Sequence, residues 1–412
     1  MKKPQNHPQI TPKAQKKTTS KTTQKHRIVQ KAETLCMAAL VLFLLTVHIT
    51  AWNVSGFSDW YRLHVFPVCT AALTRISNLF SGSVGEILIV IGILLLALEL
   101  LLIPVFLLGK KRGKNPGKLQ RLRAWNVRLV CWVLIYIYGT ETLNCYVLYH
   151  AKTLEEQALS SGQGQHTQDT PQAEYGMQEL IAAYTQVVTR ANELSGVVTR
   201  AADGEAVFDG SRQQLYDACA GAMRAQGADF PYLAGYYPNP KPIRASHFMS
   251  QQYLLGIYFP FTMEANYNAV MYPVNLPATI CHEYSHLKGV ILEDEANFFG
   301  FAACIESDDP YLQYSGYLSV LGYLARQVRQ SVPDEMRGEL VQANEQVLQD
   351  DVFLTQEQWE QVEKKAVFST ETVNQATNVF LEKNLTINGV KDGMKSYSRV
   401  VRLVILYYAG EL

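Results

Sequence analysis

The sequence predicts a mostly helical α+β protein, with three N-terminal membrane-spanning helices followed by a domain outside the membrane. Three observations carry this prediction. The first third of the 412-residue chain holds three apolar stretches, 35–52, 87–108 and 129–149, each meeting the roughly 18–20 residues needed to cross a hydrocarbon core. The remainder reads with helical periodicity, apart from one β-branched and aromatic segment. Within it, His282-Glu283-Tyr284-Ser285-His286 fits H-E-x-x-H, a zinc-binding pattern carried on a helix.

The leader, residues 1–32, is basic and carries Lys2, Lys3, Lys13, Lys16, Lys17, Lys21, Lys25 and Arg27. The anchor, 33–150, has a second basic stretch between spans two and three, with Lys110, Lys111, Arg112, Lys114, Lys118, Arg121 and Arg123. The loop between spans one and two is poor in basic residues. Basic loops stay in the cytoplasm, so three crossings place everything after His150 outside. The lipid bilayer is therefore an expected partner. Glu99 and Glu141 lie inside spans, which raises a channel or transporter as a minor alternative. Net charge is zero, which gives no basis for nucleic-acid binding. Seven scattered cysteines do not read as a disulfide framework, and Cys281 reads as a core cysteine.

Residues 151–173 read as a flexible linker, polar and low in complexity from 160 onward. The outer domain is 174–412, with helices expected at 174–195, 210–226, 276–288, 293–306, 310–329, 333–350, 356–382 and 392–409. One or two strands are expected between 243 and 274, where Gly256-Ile257-Tyr258-Phe259 is β-branched and aromatic. Such a strand, just before the metal helix, can offer its edge to an extended peptide. Asn266 and Asn268 are either substrate-facing or turn residues.

His282 and His286 are four apart, so both imidazoles share one helix face and reach one ion. Glu283 is the expected general base toward a water on that ion. Asn275 and Pro277 suit the start of this helix, and Gly289 its end. Three protein ligands and one open position are usual for catalytic zinc. A third histidine at 292 is absent, since that residue is Leu292, so a carboxylate must serve. Glu293, Asp294 and Glu295 compete, and acids also favour a helix N-terminus for electrostatic reasons. Glu293-Asp294-Glu295-Ala296-Asn297 resembles the Glu-x-x-Ala-Asp/Asn helix of several glutamate-zinc peptidase families. That resemblance implies Glu293 as ligand and Asn297 as support for a histidine, with Glu295 as the main rival. Tyr397 and Arg399 are candidate oxyanion donors, ahead of Tyr258 and His247.

The whole arrangement is similar to an uncharacterised bacterial membrane family, the domain-of-unknown-function 3810 family. The resemblance covers roughly 30–410 and rests on the spans and on segments 242–246, 256–261, 264–266, 281–286, 293–297 and 397–401. It implies a zincin-type, gluzincin-like outer domain and supplies no substrate. The expectation is a membrane-anchored zinc metallopeptidase-like hydrolase acting on a peptide or protein at the outer face. The alternative is a zinc-binding sensing or interaction module without catalysis.

Overall fold

A computed structural model of the protein describes residues 12–111, 117–161, 175–387 and 397–412. Two helices among these residues are long and apolar enough to cross a membrane. They are Ile28–Asn53, within the longer helix Pro12–Asn53, and Val84–Leu108, within Val84–Lys111.

The third expected span is not among them: by length and apolar composition two helices qualify, not three. Its place is taken by the helix Gly117–Asn144 and a 3-10 turn, Tyr146–His150. This helix packs against both apolar helices, but it is too polar to qualify by composition. The polar groups have partners inside the bundle. Arg123 Nε lies 2.8 Å from Glu99 Oε1, Asn126 donates to Glu99 Oε2 at 3.1 Å, and Arg128 Nε lies 3.2 Å from Glu33 Oε2. Glu99 thus has structural partners, which removes the main reason to read it as part of an ion path.

The loop expected between the first two spans is instead helical, as Phe57–His64 and Phe66–Ser77. The start of the expected linker also forms a helix, Leu154–Ser161, and 162–174 lie outside the described residues.

In the following domain the helix Leu276–Leu287 packs against Glu293–Ile305, which packs against Pro310–Ser331. Asp309 caps this last helix, accepting from Tyr311 N and Leu312 N. Phe298, Phe299, Phe301, Tyr284 and Tyr314 fill the core between these elements. The first two helices approach closely at Gly300, where a Cβ would stand 2.9 Å from the Ala278 carbonyl oxygen. The expected helix 333–350 is two short helices, Asp334–Arg337 and Glu345–Asp350, the second capped by Asn344. The expected helix 356–382 breaks after Lys365, and Ser369 Oγ accepts from Thr372 N to start its continuation.

Three strands form the sheet: β1 (Lys241–Ile243) precedes the region where one or two were expected, β2 (Gly256–Phe259) and β3 (Glu264–Asn268) fall in it, and their order is β1-β3-β2. β1 runs parallel to β3, and β2 antiparallel to it with Ile257 opposite Asn266. β2 is an edge strand, and both β2 and β3 contact the helix Leu276–Leu287. Asn266 and Asn268 are fully buried and serve the sheet, not a substrate. Asn266 donates to the Ile257 carbonyl at 3.2 Å, and Asn268 to Ser250 Oγ at 2.9 Å.

The anchor and this domain are joined by buried polar contacts. Glu264, on β3, accepts from Val84 N at 3.0 Å and Gly85 N at 2.8 Å, at the N-terminus of the second apolar helix. A carboxylate there satisfies donors that the helix itself leaves open. Thr262 Oγ1 donates to the same group at 2.8 Å, and Lys241 pairs with it. Glu86 accepts from the backbone of Arg244 at 2.9 Å and Ala245 at 3.0 Å. Asn144 donates to the Pro260 carbonyl at 2.6 Å.

Candidate metal centre

The helix Leu276–Leu287 begins with Pro277 in its first turn, where a missing N–H costs nothing. It ends at Lys288, followed by Gly289 at φ 85°, the left-handed closure that glycine adopts without strain. This reversal turns the chain into the second helix and brings Glu293 over the histidine face. His282 Nε2 and His286 Nε2 lie 3.1 Å apart, with Glu293 Oε2 3.3 Å from the first and Oε1 3.7 Å from the second. One ligand atom from each residue lies within 4.8 Å of the others.

His286 Nδ1 contacts the Val290 carbonyl at 2.7 Å. A carbonyl only accepts, so Nδ1 carries the proton and the Nε2 lone pair faces His282 and Glu293. Asn297 lies on the second helix one turn after Glu293, and its side chain helps raise His282. Tyr258 stacks obliquely over His286, ring centres 5.9 Å apart, while its hydroxyl is 3.3 Å from the Asn144 carbonyl.

His286 and Glu283 are buried, whereas the Glu293 side chain is 55% exposed. Burial pushes the Glu283 carboxyl up to about 8; His282 opposes this and Glu293 reinforces it. Burial opposes ionisation of Glu293 too, but its hydrogen bond from His282 and the two imidazoles hold it at about 2. Burial pushes His286 down to about 4. Desolvation disfavours the charged form of His282, yet Glu293, Glu283 and Asn297 together raise it.

Glu283 Oε2 is buried without a hydrogen-bond partner. Its other oxygen faces the start of β2, where a Cβ on Gly256 would stand 2.3 Å from Oε1. The edge strand therefore closes over this carboxylate at a residue with no side chain.

The remaining candidates go elsewhere. Glu295 accepts from Leu154 N at 2.7 Å, facing the anchor side and away from the imidazoles. Asp294 pairs with Arg399, its Oδ2 2.7 Å from Arg399 Nε. His247 Nε2 contacts Lys365 Nζ at 2.6 Å. Tyr397 opens the helix Tyr397–Ala409, and its side chain lies outside the described residues. Cys281 is buried, with its sulfur 3.8 Å from that of Cys304.

Two further residues, without any sequence signal, come under the electrostatic influence of this site. The Cys145 thiol and Tyr149 hydroxyl are both raised, chiefly by burial, and both also feel the Glu293 charge. They come from the end of the anchor, far upstream of the zinc pattern.

Residues 61–405 match the profile of a family described as a protein of unknown function, DUF3810. The chain belongs to the DUF3810 family. The DUF3810 match starts inside the helix Phe57–His64 and takes in the second apolar helix, the sheet and the candidate metal site. The unit shared by the family thus includes the joint between anchor and domain. No curated protein and no solved structure matches the chain.

Proposed function

We propose that this DUF3810 protein is a membrane-anchored zinc metallopeptidase-like hydrolase of gluzincin type, with His282, His286 and Glu293 holding the ion. The observation that carries the reading is the spacing of these three groups. A tetrahedral ion with bonds of about 2.0–2.1 Å spaces its ligand atoms about 3.3 Å apart. The separations here are 3.1, 3.3 and 3.7 Å. The donor set, two neutral imidazoles and one carboxylate, suits zinc, and the proton on His286 Nδ1 leaves its Nε2 free for the ion.

Zinc bound there would supply Lewis acidity toward a water and a peptide carbonyl. The chain's own residues do the rest. Glu283, with one oxygen unpartnered, accepts the water proton and passes it to the leaving amine. Asn297 steadies His282, and the Val290 carbonyl steadies His286. The free edge of β2 pairs with an extended peptide and carries its carbonyl past Glu283. Tyr397 keeps its proposed place as oxyanion donor.

The proposed orientation follows from the bundle. The basic leader and the basic stretch 109–123 stay in the cytoplasm. Val84, at the other end of the second apolar helix, touches the domain through Glu264. The helix Gly117–Asn144 packs on both apolar helices and ends at the Pro260 carbonyl. At about 1.5 Å per residue its 28 residues span about 42 Å, enough to return the chain through the bilayer. The domain then lies outside the cytoplasm.

The test uses the full chain in detergent, because the anchor contributes buried contacts to the domain. One zinc per wild-type chain, lost in Glu293→Ala and kept in Glu295→Ala, is the expected result. Hydrolysis of a mixed fluorogenic peptide pool should vanish in Glu283→Gln with zinc retained. A folded wild-type chain that takes up no zinc would overturn the reading. Zinc uptake without any hydrolysis would favour a binding module instead.

A further inference from the structure

The segment between the two apolar helices is built inside out. In Phe57–His64 and Phe66–Ser77 the buried residues are Ser58, Tyr61, Arg62, Phe66, Thr70, Thr74 and Ser77, most of them polar. Tyr61 and Phe66 face the core, with Phe57, Val65 and Leu73 packed against it, but an opposite row of large apolar side chains faces outward: Trp60, Leu63, Val68 (68% exposed) and Ile76, continuing into Leu79 (81% exposed) and Phe80. A helix packed on a water-soluble domain shows the reverse pattern.

Several of the polar groups are provided for locally or by the domain, whereas Ser58 Oγ, the Tyr61 hydroxyl and Arg62 Nε are buried without a hydrogen-bond partner. Thr70 Oγ1 donates to the Phe66 carbonyl at 3.0 Å, and Thr74 Oγ1 to the Thr70 carbonyl at 2.5 Å. The Arg62 guanidinium lies 4.2 Å from the centre of the Tyr232 ring. The Ser77 carbonyl accepts from Lys241 Nζ at 2.6 Å, and Asn78 Nδ2 donates to the Tyr236 hydroxyl at 2.9 Å.

We infer that residues 57–80 form a collar whose outward face is embedded in the acyl chains of the outer leaflet. The occupant is lipid because the face is continuous with the apolar helices at both ends. The chain enters from Ile28–Asn53 and leaves into Val84–Leu108, both exposed and apolar. With 8 and 12 residues, the two helices measure about 12 and 18 Å, short of the roughly 30 Å needed to cross. They lie along the leaflet, with Trp60 at the level where tryptophan concentrates.

The collar also fixes the height of the candidate metal centre. A Cβ on Gly289 would stand 3.2 Å from the Phe66 ring and 3.3 Å from Arg62 Cγ. His286 is three residues earlier, so its Cα is within about 11 Å of that contact. The interfacial layer is roughly 5–7 Å thick on each side of a bilayer. The centre therefore stands next to the headgroups, where a segment emerging from the membrane meets it first. The lipid contact itself does not depend on zinc or on hydrolysis.

The test reconstitutes the full chain in phosphatidylcholine–phosphatidylglycerol vesicles containing an alkyne-tagged acyl chain. A benzophenone amino acid is placed at Val68 or Leu79, at Leu94 in the apolar helix, and at Leu348 on an exposed part of the domain. Labelling at Val68 and Leu79 that matches Leu94, with none at Leu348, is expected. Loss of labelling at Val68 and Leu79 while Leu94 labels would overturn the collar, and loss at all of them would overturn it together with the anchor. An independent measurement needs no photoreactive residue. Trp60→Phe should remove part of the fluorescence quenched by acyl-brominated lipid, and an unchanged quenched fraction would also refute the proposal.

Discussion

Removing the lysine of the buried pair between Lys241 and Glu264 tests how tightly the anchor is built into the domain. Their side chains are 4% and 1% exposed, so solvent does not screen the pair. Lys241→Met leaves the Glu264 carboxylate buried with one charge uncompensated, a change that typically costs about 3–5 kcal/mol. Four donors remain on Glu264, namely Ser83 Oγ, Val84 N, Gly85 N and Thr262 Oγ1, and the two backbone N–H groups open a helix. These favour the low end, about 3 kcal/mol. For a domain of roughly 240 residues, unfolding entropy near 2.1 cal/mol/K per residue gives about 0.5 kcal/mol/K, so the midpoint should fall by about 6 °C. The double variant Lys241→Met/Glu264→Gln removes the stranded charge and should recover most of that loss. The assay is thermal unfolding of the full chain in detergent, read by domain tryptophan fluorescence and by protease sensitivity near residue 83. An unchanged midpoint in Lys241→Met, or a double variant worse than both single changes added, would refute the reasoning.

Gly256→Ala should leave zinc content intact yet lower hydrolysis about 100-fold. The new methyl must push Glu283 Oε1 out from 2.3 Å by roughly 1 Å, the scale of misplacement that costs such a factor; wild-type turnover in this variant would sink the role given to Glu283. Asn297→Ala should weaken zinc affinity by about 10–100-fold, measured by competition with a chromophoric chelator, and unchanged affinity would remove it as support for His282. Gly300→Ala meets the Ala278 carbonyl at 2.9 Å, backbone that does not yield easily. About 1–3 kcal/mol of destabilisation is expected, and a neutral midpoint would mean that the ligand helices separate without cost.

Local features of the site were legible in the sequence because they depend on spacing along one helix. Residues four apart share a face in any α-helix, so His282 and His286 converge whatever the rest of the chain does. The helix end at Gly289 was legible for the same reason. The choice among Glu293, Asp294 and Glu295 was not a matter of spacing. It depends on how the reversal at Lys288 and Gly289 sets the second helix against the first, and on Arg399 and Leu154 N engaging the other two acids.

What the sequence determined by itself was the helical periodicity, the apolar character of two membrane-length helices, the basic stretches and the zinc pattern. Each is a property of neighbours within a few turns. Tertiary structure alone decided the rest. The polar residues of Gly117–Asn144 look wrong for a bundle until Glu33 and Glu99 are seen beside them. The asparagines of β3 look available until the sheet closes over them. The segment 57–80 reads as a loop until its polar side is found against the domain and its apolar side facing out. In each case a side chain's meaning depends on partners distant in sequence, and no periodicity encodes which distant surface a face will meet.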